Sequence, residues 1–221
     1  MKNTKTILLA GSVMAATIGC SVAAEEINWT GYNIGINSGY SFGQSDARYL
    51  NPTFSSYAVK SSPEGGTIGF QVGGNYQFKN HLVVGLETEI SYADVSDTIY
   101  DTLSDAHAQP GNTITTSSDY AATARLRLGY ALGRFLPYIT AGGAGADAKI
   151  SATDGSLSES DFQLGWTAGA GLEYAVNKHW SVRAEYLHVD LGSHTWFAQQ
   201  LWRTSSTLTS ETLRFGINYK F

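Results

Sequence analysis

From Gly31 to the last residue, apolar and polar positions alternate with a period of two, the mark of strands that keep one apolar face. Eight such stretches follow one another. In the first, Tyr32, Ile34, Ile36, Tyr40 and Phe42 share a face opposite Gly31, Asn33, Gly35, Asn37 and Gly39. The second sets Ile68, Phe70, Val72, Tyr76 and Phe78 against Gly69, Gln71, Gly73, Asn75 and Gln77, and the third sets Leu82, Val84, Leu86, Ile90 and Tyr92 against Gly85, Glu87, Glu89 and Ser91. The fourth carries Tyr120, Leu126, Leu128 and Tyr130 opposite Thr123, Arg125, Arg127 and Gly129. The fifth, around 138–149, is so rich in Gly and Ala that its facing is undecided. The sixth opposes Phe162, Leu164, Trp166, Leu172 and Tyr174 to Gln163, Gly165, Gly169, Gly171 and Glu173, and the seventh opposes Trp180, Val182, Ala184 and Tyr186 to Ser181, Arg183 and Glu185. In the eighth, Leu213, Phe215, Ile217, Tyr219 and Phe221 face away from Arg214, Gly216, Asn218 and Lys220.

Which face points inward decides the class. A soluble barrel turns its apolar face in; a transmembrane barrel turns it out to lipid and keeps polar side chains in the lumen. The polar faces hold Glu87, Glu89, Glu173 and Glu185 against Arg125, Arg127, Arg183 and Arg214, an even balance set among glycines. That suits a confined interior, where a charge without a partner is costly. Glu87 and Glu89 are expected to pair with Arg125 and Arg127, Glu173 comes near Arg183, and Glu185 and Arg214 lie on adjacent strands. Eight strands enclose little more than side-chain volume, which favours a closed electrostatic plug over a gated ion path.

The connections agree. Those at 79–81, 133–134 and 176–178 are tight, while 43–66, 94–119, 149–160 and 191–210 are long, and short alternates with long as periplasmic turns alternate with extracellular loops. Tyr130, Phe135, Tyr174, Trp180 and Tyr219 stand at strand ends as an interfacial girdle. The expected fold is all-β: an eight-stranded antiparallel transmembrane β-barrel with short periplasmic turns and four long extracellular loops.

The N-terminus reads differently. Lys2 and Lys5, an apolar run from Ile7 to Cys20 and the small residues Val22, Ala23 and Ala24 form a signal peptide, with cleavage expected between Ala24 and Glu25. The chain thus divides into a leader, 1–24, and a barrel domain, 25–221. Gly19-Cys20 ends like a lipobox, but Thr17 stands where Leu is usual. Of the 221 residues only 15% are charged, against about 25% in a typical soluble domain, and 24 are Gly. Losing the leader leaves 12 basic and 19 acidic residues, net -7, which speaks against a nucleic-acid partner. A single Cys excludes a disulfide framework and any multi-Cys zinc site.

The opening of the mature chain, Asn28-Trp29-Thr30-Gly31-Tyr32-Asn33-Ile34-Gly35 with Gly39-Tyr40, resembles that of small alphaproteobacterial outer-membrane immunogenic or porin-like opacity proteins, with Asn33 replacing the second aromatic of their motif. Pro137-Tyr138-Ile139-Thr140-Ala141-Gly142-Gly143 is similar to their fifth strand. The final strand, with Leu213, Phe215, Ile217, Tyr219 and terminal Phe221, resembles the assembly signal of outer-membrane barrels. The resemblance covers the whole mature chain. It implies the outer membrane as location, and its lipid and the assembly machinery as partners.

Other chemistry is sparse. His188 with Ser181 or Asp190 is the one arrangement near a strand end that a hydrolase or acyltransferase could use, and no nucleophile-elbow motif accompanies it. No catalytic, cofactor or metal residues are therefore assigned. Asp94, Asp97, Asp101, Asp105 and Asp119 share a segment without Lys or Arg, and their spacing is not that of a calcium loop. Some relatives of this group bind haem; the spacing of His107, His188 and His194 does not suggest it here. The last long loop offers His194, Trp196, Phe197, Trp202 and Arg203, residue types suited either to binding or to the outer-leaflet interface. The expected function is a structural and surface role: charged side chains fill the lumen, and the loops are open to an extracellular ligand or a host surface. A ligand-binding adhesin, haem included, and a narrow porin remain open, with an enzyme less favoured.

Overall fold

The computed structural model describes residues 27–50, 57–100, 113–152, 158–196 and 203–221. Its strands are β1 (Gly31–Leu50), β2 (Tyr57–Ser61), β3 (Glu64–Gln77), β4 (Leu82–Tyr100), β5 (Thr113–Tyr130), β6 (Phe135–Ala152), β7 (Ser158–Ala175), β8 (Trp180–Trp196) and β9 (Arg203–Lys220). Each is antiparallel to its sequence neighbour in the wall, and β9 returns to β1 from Asn33↔Lys220 to Leu50↔Arg203. Among the described residues, closure of β1 and β3 to β9 leaves no open edge in that ring of strands, the condition for crossing a bilayer with strands, while β2 pairs with β1 alone. β2 and β3 are two parts of one arm: Ser45↔Ser61 and Phe42↔Glu64 share a register, and the break falls at Pro63, which has no N–H to donate. The barrel therefore has eight walls.

The alternation translates directly into facing. Ile36, Ile68, Ile90, Leu126, Ile139, Leu164 and Phe215 point outward and are exposed, as they must be to meet lipid. The Gly- and Ala-rich strand β6 is now assigned: Tyr138, Thr140, Ala144 and Ala146 are buried in the lumen, while Ile139 faces lipid. The aromatic residues Tyr130, Phe135, Tyr174, Trp180 and Tyr219 gather at the end of the barrel that carries the tight turns. Phe135 packs on Tyr174 with ring centroids 4.9 Å apart, and Trp180 on Tyr219 at 5.0 Å.

Tight turns need particular backbone. Between Leu132 and Phe135, whose N–H and C=O groups bond reciprocally, Gly133 adopts φ 62°, the left-handed conformation a two-residue hairpin requires. At the opposite end, register shifts at Tyr92/Val95, Ser117/Ala121 and Asp190/Ser193 mark bulges as the strands leave the membrane band. In the last of these, the Asp190 carboxylate accepts a 2.8 Å bond from the N–H of Gly192, which has φ 72°.

The predicted long loops are shorter than expected. Ladders continue to Leu50, Tyr100, Ala152 and Trp196 and resume at Tyr57, Thr113, Ser158 and Arg203, so much of each presumed loop is hairpin that extends the wall. The leader, with Ala24 and Glu25, lies outside the described residues.

Candidate functional site in the lumen

Every charged residue expected inside is there, and all eight are buried. Arg125, 1% exposed, is the hub. One terminal nitrogen bonds Glu87 and reaches Glu89 at 3.0 Å, and the other lies 3.5 Å from Glu185. Arg214 grips Glu89 through one terminal nitrogen and Glu185 through Nε at 2.7 Å. Arg183 crosses the lumen from β8 to Glu87 on β4, at 2.5 Å, and also bonds Gln71.

Two expected pairings differ. Arg127 reaches Glu173 on β7 rather than Glu87 or Glu89, with its guanidinium 3.5 Å over the Tyr138 ring. Glu173 sits opposite Arg183 in the ladder, yet it accepts from Arg127, Ser181 and Asn218 while Arg183 turns away to Glu87. An eight-stranded lumen is narrow enough for an arginine and a glutamate reaching in from two walls to meet, so side chains bridge strands that are not neighbours.

Uncharged residues join the pieces. Asn37 donates to Gln71 at 2.7 Å, Gln71 to Asn218 at 2.5 Å, and Asn218 to Glu173 at 2.9 Å. From Arg127 through Glu173, Asn218, Gln71, Arg183, Glu87, Arg125, Glu89 and Arg214 to Glu185, these side chains form one connected network. Glycines make it fit: a Cβ on Gly35 would collide with Asn218 and Gln71, and one on Gly171 with the Tyr138 ring. Four arginines against four glutamates leave it neutral, which a low-dielectric interior demands.

A second, apolar cluster lies below. Ile27 and Trp29, both 4% exposed, enter the periplasmic mouth and pack with Val83, Ala131, Leu136 and Ala175. The Trp29 indole donates to the Gly133 carbonyl at 3.3 Å, and its backbone N–H to Gln77 at 2.8 Å. Lys220 bonds the Asn28 carbonyl, tying the same segment to β9. This apolar cork was not anticipated; the sequence signal was an apolar Ile27 and Trp29 two residues apart, ahead of any strand.

The remaining candidates disperse. Ser181 lies in the lumen bonded to Glu173, whereas His188 faces outward and pairs with Glu211 at 2.7 Å beside Trp166, so no Ser–His arrangement forms. Among the described residues, no three His, Cys, Asp or Glu side chains gather to hold a metal ion. His194 and Trp196 fall on the outer part of β8 and Arg203 begins β9, so they are strand rather than loop; Phe197, Trp202 and His107 lie outside the described residues.

A family model described as "Outer membrane protein beta-barrel domain" matches residues 10–221. The 31 kDa outer-membrane immunogenic protein of Brucella melitensis is 32% identical, covering 98% of this chain and 94% of its own length. The 25 kDa outer-membrane immunogenic protein of Brucella abortus is 28% identical over 90% of this chain and 82% of its own. Among solved structures, the outer membrane protein OprG of Pseudomonas aeruginosa superposes with a TM-score of 0.53 at 14% identity, covering 89% of this chain and all of that one, a likeness of fold.

Proposed function

The chain belongs to the outer membrane protein beta-barrel domain family, and on that premise we propose that this outer-membrane barrel is a sealed structural scaffold whose extracellular hairpins are its contact surface. One observation carries the reading: a single neutral network fills the lumen from wall to wall directly above an apolar cork. A conduit for solutes would need continuous water, and eight walls leave room for little beyond these side chains. Contact with the outside then falls to the hairpins, which rise past the membrane band on extended strands. The names of the two Brucella relatives, immunogenic proteins of the outer membrane, support hairpins that are displayed at the cell surface.

Liposome swelling tests the sealed lumen: vesicles carrying the purified barrel should shrink in small sugars as protein-free vesicles do, and rapid re-swelling would contradict it. Antibodies to an epitope inserted between Phe197 and Trp202 should label intact cells. The mature protein should begin at Glu25 by mass spectrometry; a lipid-modified Cys20 would make it a lipoprotein instead.

A further inference from the structure

The lipid face is not evenly covered. In its periplasmic half, across β1, β3 and β4, an open apolar groove of about 830 Å3 runs between Tyr32 and Tyr76, with Val84 and Leu86 along one side and Phe221 at its end. Its floor is Gly74, whose register partners are Tyr32 on β1 and Leu86 on β4. A Cβ there would meet the Tyr32 ring at 3.2 Å, so the absent side chain is what opens the groove. The volume lies within the ~300–1,000 Å3 typical of small-molecule sites.

The groove also has a polarity. The strands that floor it, β3 and β4, converge on the exposed turn Lys79-Asn80-His81. That turn belongs to a basic periplasmic rim. The three tight turns carry Lys79, His81, Arg134, Lys178 and His179 and no Asp or Glu, whereas the segment 94–119 at the other end holds five Asp and no Lys or Arg. An apolar channel ending in cations at head-group height matches the order of parts in an anionic amphiphile.

We propose that this groove binds an anionic glycerophospholipid of the periplasmic leaflet, one acyl chain lying over Gly74 between Tyr32 and Tyr76 and the phosphate resting against Lys79. A second copy of the barrel is the poorer occupant, because two copies inserted in the same sense bring basic turn against basic turn at the same height. Cations at a membrane surface each favour an anionic lipid by about fivefold, so the preference belongs to Lys79 and the retention to the groove.

Native mass spectrometry of the mature protein, released from nanodiscs of mixed phosphatidylglycerol and phosphatidylethanolamine, reads both. Wild type should retain one phosphatidylglycerol, favoured about fivefold over phosphatidylethanolamine. Lys79→Glu should abolish the preference, Gly74→Leu should lose the bound lipid with Lys79 intact, and Lys178→Glu, in a turn away from the groove, should leave both unchanged. Heat-modifiability confirms that each variant is a folded barrel, and Lys79→Glu, a change in an exposed turn, keeps the test valid if Gly74→Leu fails to fold. Equal retention of the two lipids, an effect of Lys178→Glu matching that of Lys79→Glu, or a wild-type dimer lost in Gly74→Leu would each overturn the proposal.

Discussion

Arg125 shows how an interior charge is held. It faces three carboxylates, Glu87, Glu89 and Glu185, and no single one depends on it alone: Arg183 also holds Glu87, and Arg214 also holds Glu89 and Glu185. Breaking a buried pair by removing one partner typically costs about 3–5 kcal/mol. Arg125→Ala should fall toward the low end of that range, because Arg183 and Arg214 can share the carboxylates, and Arg125→Ala with Arg127→Ala should cost about the sum of the singles, since Arg127 pairs with Glu173, which Arg125 does not touch. Urea unfolding in detergent micelles measures all three. Trp29→Ala removes the centre of the cork and its bond to Gly133, a change of the kind that costs about 3–5 kcal/mol in a packed core; an unfolding midpoint equal to wild type would show the cork to be loose. The identities of the eight interior charges were legible in the sequence because alternation fixes a face. Their partners were not, since a sequence orders residues along walls and across adjacent strands, while Arg183 and Arg127 act across the lumen.

At the scale of the strand, β9 closes the barrel, pairing with β8 on one side and β1 on the other. Its outward residues meet lipid at graded depth, with Phe215 mid-strand and Tyr219 in the aromatic cluster with Trp180, His179 and Phe221. Phe215→Arg should destabilise the folded barrel by about 2–4 kcal/mol, and Tyr219→Arg, near the interface, by about 1 or less. Reversible folding into lipid vesicles gives both values, and equal penalties would contradict the assigned depth. Replacing Tyr219 by Asp, or deleting Phe221, should lower the yield of heat-modifiable barrel in cells, because both lie in the strand that resembles an assembly signal. Strand position was legible wherever lipid enforces alternation, and strand length was not. Beyond Tyr92 and Phe42 the apolar period in the sequence stops, and Asp94 or Gly43 reads as the start of a loop although the ladder runs on to Tyr100 and Leu50.

For the whole molecule, the two layers that fill the barrel have different chemistry. The upper one is electrostatic and neutral, the lower one apolar and built from a segment outside the wall, so loss of either leaves the other in place. The resemblance to porin-like proteins and the side chains that fill the interior therefore point in different directions, and conductance separates them. The most direct test is single-channel recording of the monomeric mature barrel in a planar bilayer, beside Trp29→Ala and a triple variant in which Trp29, Arg125 and Arg127 are all Ala. Wild type and Trp29→Ala should show no resolved conductance, and the triple variant, with Glu173 left without an arginine and Glu87 and Glu89 with one each above an open mouth, should show a small cation-preferring one. Large, stable conductance from the wild-type monomer would contradict the sealed lumen and make the buried charges a selectivity element instead.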